Sequence, residues 1–283
     1  MVIPLYGEVP EDFLDWLHAL QNVGLYVVLV QNNSSGSPHF LFDLKQLQVR
    51  PTIILNHNIG GVAGGFNRGV DSAIAAGAEW ITLLDQDSRV SPSDLHRLRE
   101  PWKRLDHPAM LVGPLIWDGR KNQPHAIASS SKCQHGYLRT RLLISSGTTF
   151  RAVDWPRLGV MCEWLVVDFV DHSWCFRAQA RQGFHLLQHS EVHLVQRFGR
   201  SHPNHLCRYL GMELYSPTRH FYQLRNLRWL LKKAEVPLDL RCKELIKMLL
   251  KPWLWLLCEP KRRENFLAIL SALRAPLLDP DLF

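Results

Sequence analysis

The sequence predicts an α/β protein: a mostly parallel central sheet flanked by helices, followed by a basic helical extension. Three observations carry that expectation. Short apolar runs alternate with amphipathic or alanine-rich segments over the first hundred residues, the pattern of a sheet wound by crossover helices. The second run, LYVVLV (25–30), is apolar at every position, as in a strand covered on both faces. Charge is also segregated. Residues 1–196 hold 17 Lys and Arg against 18 Asp and Glu, whereas residues 197–283 hold 16 against 8.

A chain of 283 residues with 46% hydrophobic content can bury a full core and is not of the disordered class. No stretch reaches the roughly 18–20 uninterrupted apolar residues of a spanning helix. The first ten residues, MVIPLYGEVP, lack the basic start and apolar core of a secretory signal. The expected location is therefore cytoplasmic, with attachment to the cytoplasmic face of a membrane as the variant. Six scattered cysteines form no CxxC pair, so they read as reduced and structural. The whole net charge of +7 resides in the C-terminal third and points to an anionic partner: lipid headgroups, nucleic acid or a phosphate-bearing substrate.

VIPL (2–5) is the first strand, closed by Tyr6 and Gly7. In EDFLDWLHAL (11–20), Phe13, Leu14, Trp16, Leu17 and Leu20 share a helical face. The second strand, LYVVLV, runs into QNNSSGS, a turn by its Asn, Ser and Gly content. PTIILNHN (51–58) is the third strand, GGVAGGFNRGVDSAIAAGA (60–78) a glycine-rich loop entering a helix, and WITLLD (80–85) the fourth strand. Ser91 caps a further helix that has Pro92 in its first turn. Beyond about residue 110 the pattern becomes mixed. LLISSGTTFR (142–151) reads as a strand pair or strand–turn. WLVVDFVDHSWCFRAQARQG (164–183) enters a helix ending at Gly183. From about 205 the chain is helical and basic.

Several constellations carry chemistry. NHNIGGVAGGFNRG (56–69) offers Gly60 for close backbone approach and Asn56, Asn58 and Asn67 as polar contacts, yet it does not match a dinucleotide fingerprint. Asp85 and Asp87 end an apolar strand one residue apart. Either they sit in a solvated turn, or they hold a divalent cation at the carboxyl end of the sheet, where open α/β folds bind ligands. In VVDFVDHSWCFR (166–177), Asp168 and Asp171 are neighbours if helical, close to Trp174 and Arg177. They fit a general base in an apolar setting or acids of a helix first turn. His185, His189 and His193 would form a metal stripe on a helix, but GFHLLQHSEVHLV reads as a strand, which scatters them. In SPTRHFYQLRN (216–226), Arg219 and Arg225 beside Phe221 and Tyr222 suit a phosphate clamp or a solvated helix start capped by Ser216.

Taken in this order, NHNIGGVAGGFNRG, LLDQDS, SSGTTFR, VDFVDHSWCFR and SPTRHFYQLRN resemble the family 2 glycosyltransferases of the GT-A fold, most of all their rhamnosyltransferase-like branch. The resemblance runs from the first strand to about residue 230. It implies a Rossmann-like catalytic domain over 1–204, with a nucleotide-sugar half (1–115) and an acceptor half (116–204), and a helical region over 205–283. It implies an inverting hexosyltransferase moving a sugar, L-rhamnose by preference, from a nucleoside-diphosphate donor such as dTDP-rhamnose. The acceptor would be a saccharide or lipid-linked oligosaccharide in bacterial surface polysaccharide synthesis. Asp85 would lie near the ribose and Asp87 would hold Mg²⁺ or Mn²⁺ on the diphosphate. Asp171 takes the position of the catalytic base and Asp168 that of a second acid. Ser146 and Gly147 fall at the donor–acceptor cleft, while Gln31, Asn32, Asn56, Asn58, Gly60, Asn67, Arg177, Arg219 and Arg225 belong with the nucleotide sugar.

Three positions depart from the family pattern. Gln31-Asn32 stands where Asp-Asn is usual, and Ser173 where a further acid is usual. Gln196-Arg197-Phe198-Gly199 replaces a His-x-x-Gly, so His193 is the expected substitute metal ligand, or Arg197 the neutralising charge. The tail (239–274) combines Trp253 and Trp255 with Lys251 and the run Lys261-Arg262-Arg263. It fits a helix in an anionic headgroup layer or an amphipathic cap on the catalytic domain. Rival classes fit fewer residues. A sugar nucleotidyltransferase wants a basic loop after the first strand, where PLYGEVPED is acidic. A degenerate, non-catalytic sugar-binding protein is kept open by Gln31, Ser173 and Gln196. No nucleic-acid motif accompanies the basic tail.

Overall fold

The computed structural model describes residues 1–21, 24–33, 51–119, 122–124, 131–132, 136–196, 200–202, 204–209 and 213–278. Arg197, Cys133 and the turn residues after Asn33 lie outside that set. The chain divides into two compact units. One comprises residues 1–163 with 171–196, the other residues 164–170 with 197–283.

In the first unit, β1 (Val2–Leu5), β2 (Val28–Gln31) and β3 (Thr52–Leu55) form a parallel sheet in that order. The glycines of the 56–69 segment explain how it is covered. Helix Gly61–Ala75 lies so close that a Cβ on Gly69 would stand 2.2 Å from Val2 Cγ1, and one on Gly65 3.0 Å from Pro4 Cβ. Helix Phe13–Gln21 buries Phe13, Leu17 and Leu20, at the i, i+4, i+7 spacing of one apolar face.

A parallel bridge from Val2 to Leu83 continues from this sheet to the end of β4 (Trp80–Thr82). There the second sheet begins, in the order β4, β9 (Thr149–Arg151), β5 (Met110–Asp118), β10 (His185–Gln196), β8 (Tyr137–Thr140), β7 (Ser131–Lys132), with β6 (Gln123–Pro124) also on β5. Among the described residues only β5 and β10 pair in parallel here. The antiparallel pairs arise where strand–helix alternation ceases and shorter connections return the chain. β10 is irregular between His189 and His193, so its two halves are offset by a bulge.

In the second unit, β11 (Arg200–Ser201) pairs with β12 (Glu213–Leu214). Helices Pro217–Leu230, Leu238–Cys258 and Arg262–Arg274 follow. Their core gathers Leu224, Trp255, Ile269 and Ala272. Trp255 is buried and stacks on His220 at 4.0 Å. This corrects the expectation that Trp255 faces a membrane: it is an anchor of the helical core. Among the described residues no helix is long and apolar enough to cross a membrane.

Candidate active site

The fourth strand delivers Asp85 to the carboxyl end of the sheet. Leu84 N–H donates to Val2 O at 3.0 Å, fixing the chain there, and the turn closes with Ser88 N–H on Asp85 O at 3.1 Å. The antiparallel partner β9 brings a second turn alongside. Leu83 N–H donates to Thr148 O, and Gly147 N–H donates to Leu83 O at 2.7 Å. Gly147 has φ +83°, and a Cβ on it would meet Pro114 at 2.5 Å, so both its backbone and its space require glycine. Next to it, buried Ser146 accepts from Asp85 N–H at 3.1 Å and donates to Ser88 Oγ at 2.8 Å. Gln196, at the end of β10, donates to Asp85 Oδ2 at 3.1 Å and to Ser88 Oγ at 3.4 Å.

Asp85 is the electrostatic centre of this group. Burial pushes its carboxyl up to about 7. The neighbouring charges of Asp87 and Asp171 push in the same direction, and the Gln196 hydrogen bond opposes them. That field joins two motifs more than eighty positions apart in sequence. Asp171 stands in the first turn of helix Val170–Gln182, where the macrodipole favours a carboxylate. Its Oδ1 accepts from His172 N–H at 3.0 Å and contacts His172 Nδ1 at 3.1 Å. Asp87 is exposed.

Oxygen donors crowded with like charge suit a hard divalent cation. Among the described residues no group of three His, Cys, Asp or Glu side chains forms a closed shell. Two carboxylates leave the remaining positions to water and to a diphosphate, which is how magnesium-type sites are commonly completed. The donor chemistry therefore fits such an ion, which Asp85 and Asp87 would hold. His193 does not join them. Side chains three apart on a strand face opposite ways. His193 is exposed, with Nε2 3.0 Å from Ser190 O and its ring 5.8 Å from Trp117.

The glycine-rich motif has a packing role as well. Asn56 donates to Asn32 Oδ1 at 2.6 Å and to Ile59 O at 2.9 Å. Asn32 in turn donates to Gly61 O at 3.3 Å, and Gln31 Oε1 is buried with no partner among the described residues. Asn67 is held at both ends of its amide, donating to Met161 O and accepting from Met161 N–H. Asn58 is exposed with φ +57°, and Gly60, at φ +69°, leaves no room for a Cβ against Glu163. Arg177 bonds the Leu158 and Val160 carbonyls.

In the second unit, Asp168 lies before the helix rather than on it, which corrects the expectation of a helical pair with Asp171. Val166, Asp168 and Phe169 all have positive φ, between +57° and +65°. Such backbone is strained for side chains of this kind and persists only when its surroundings fix it. The fixing groups come from helix Pro217–Leu230. Arg219 grips Asp168 through two bonds of 3.0 and 3.1 Å and lies over Tyr215. Fully buried Asn226 donates to Leu165 O, Val167 O and Asp168 O. Arg225 donates to Trp164 O at 2.6 Å, with its guanidinium 4.0 Å from the Trp164 ring centre. Arg219 and Arg225 thus organise the segment that leads into Asp171. Sequence reasoning singled out neither Asn226 nor Ser88. Asn226 lay within the quoted motif, but its amide carries no signal until the carbonyls it binds are in view.

A family model described as glycosyl transferase family 2 matches residues 1–159. The dTDP-rhamnosyl transferase RfbF of Shigella flexneri is 27% identical over 290 residues, covering 96% of this chain and 94% of that protein. Among solved structures, S. aureus TarS 1–349 in complex with UDP is similar at a TM-score of 0.55 with 13% identity, covering 96% of this chain and 80% of that one. GalNAc-T7 with UDP, GalNAc and Mn²⁺ is similar at 0.57 with 12% identity, covering 98% and 57%. These two likenesses bear on the fold.

Proposed function

The chain belongs to glycosyl transferase family 2, and on that premise we propose an inverting sugar transferase with Asp171 as general base. The reading takes L-rhamnose from a dTDP donor as the substrate, because the relative similar along nearly the whole chain is a dTDP-rhamnosyl transferase. The acceptor is a saccharide hydroxyl, carried on a lipid at the cytoplasmic face of an anionic membrane, in surface polysaccharide synthesis. The protein would be peripheral there, drawn by its basic C-terminal region.

One observation supports this most directly: the charge of Asp171 acts on Asp85, so the base and the donor end of the sheet share one field. In the reaction, Asp171 takes the proton of the acceptor hydroxyl. The freed oxygen bonds to the anomeric carbon from the face opposite the diphosphate, the bond from that carbon to the phosphate oxygen breaks, and the nucleoside diphosphate departs with the electron pair. A Mg²⁺ or Mn²⁺ ion bound at Asp85 and Asp87 would supply positive charge against the diphosphate. Gln31, Asn32 and Asn56 stand at the carboxyl ends of β2 and β3, the edge where open α/β sheets take a nucleotide, and there Asn32 and Asn56 hold the loop that would receive it. Asp168 and its Arg219 partner keep the approach to Asp171 in one conformation.

The test is a donor panel of dTDP-rhamnose, UDP-sugars and GDP-sugars, with and without Mn²⁺, read as nucleoside diphosphate release in the presence of an acceptor extract. Release from dTDP-rhamnose above all others is expected. Binding without release from any donor would favour a sugar-binding protein that has lost turnover.

A further inference from the structure

Helix Leu238–Cys258 is two-faced in an unusual way. One face, with Trp255 and Met248, packs into the helical core. The opposite face carries Leu245, Ile246, Leu249, Leu250, Trp253 and Leu257, and the last five expose 57 to 66% of their surface. At about 3.6 residues per turn these six side chains, with exposed Cys242, fall within an arc of roughly 140°. No charged residue interrupts that arc between Cys242 and Leu257. Cations border it instead. Exposed Lys243 and half-buried Lys247, the latter paired with Glu244, follow one edge, and Arg262 donates to Leu257 O at the far end.

We infer that this face is a membrane-docking surface, on which the helix lies in the plane of an anionic bilayer. The inference deepens the lipid-linked acceptor reading by assigning the surface that meets the lipid. An exposed apolar stripe of this length calls for a covering partner. The charge border selects which one. A second copy pairing through the same face would bring two lysine-bordered surfaces together, whereas anionic headgroups neutralise them. The helix lies on the bilayer and does not span it: its other face is packed on protein, and its hydropathy falls short of a span. Trp253, amphipathic and near the middle of the stripe, would sit at headgroup level.

Full-length protein is sedimented with phosphatidylcholine vesicles, with or without phosphatidylglycerol. Wild type should partition onto the anionic vesicles. Leu249→Ser with Trp253→Ser should weaken this roughly tenfold or more, and Lys243→Glu with Lys247→Glu should abolish the preference for anionic lipid. Nucleoside diphosphate release in vesicle-free solution should match wild type in both variants. A wild type that stays in the supernatant, or an apolar-face variant that sediments like wild type, overturns the docking surface. So does a dimer in light scattering that the Ser variant dissociates without any vesicle binding. Absence of donor turnover in a protein that still docks would sink the transferase reading alone.

Discussion

Asp85 has its carboxyl raised from the ordinary 3.8 to about 7 by burial and by the charges of Asp87 and Asp171. A raised acid holds its proton more tightly folded than unfolded. Between about pH 4 and 7 its contribution to stability therefore falls as pH rises. A cation that binds the carboxylate competes with that proton. Mn²⁺ should accordingly raise the melting temperature more at pH 8 than at pH 6, and Asp85→Asn should remove the difference. Equal shifts at both pH values in wild type would place the cation elsewhere. Gln196 acts on the same group. Its amide bond to Asp85 occupies the place where the family resemblance led one to expect an imidazole. Gln196→Ala removes this hydrogen bond, which favours the carboxylate, and should move the cation response to still higher pH.

Elements show how much was legible in the sequence. The glycine-rich motif was readable as a site of close approach, and so it is, but what approaches is β1 and β2. Gly69→Ala would drive a Cβ into Val2 and Val30, an overpacking that destabilises by about 1–3 kcal/mol. Denaturant midpoints should show that loss with an unchanged slope. Strand identity in the histidine-rich segment was also legible; its second half, Glu191 to Val195, alternates exposed and buried as a period of two requires, whereas Leu186 to His189 are all buried. The fate of Asp168 was not. A positive-φ run without glycine has no sequence signature, since it is imposed by Arg219 and Asn226 from about fifty positions away. Nor could spacing tell Trp253 from Trp255, one exposed and one in the core. Asn226→Ala removes the amide donor from Val167 O and Asp168 O, while Leu165 O keeps Val167 N–H and Arg225, and this costs about 1–3 kcal/mol. Its effect on turnover should exceed its effect on melting, because the segment it holds leads directly into Asp171. Turnover that tracks stability alone would reduce Asn226 to a packing residue.

Over the whole molecule, function follows from a division of chemistry. The first unit holds the near-neutral two-thirds of the chain with Asp85, Asp87 and Asp171, and the second holds the basic excess. Family membership supports the reaction class, sugar transfer from a nucleotide sugar, and its proposed general base is Asp171, behind the clamped segment. The most direct measurement compares nucleoside diphosphate release by wild type and Asp171→Asn, with dTDP-rhamnose and acceptor extract, together with the anomeric configuration of the product. The account predicts a rate lower by about 10²–10⁴ in the variant, unaltered melting, and a product configuration opposite to the donor's. A variant as fast as wild type, or a product that retains the donor's configuration, would contradict it.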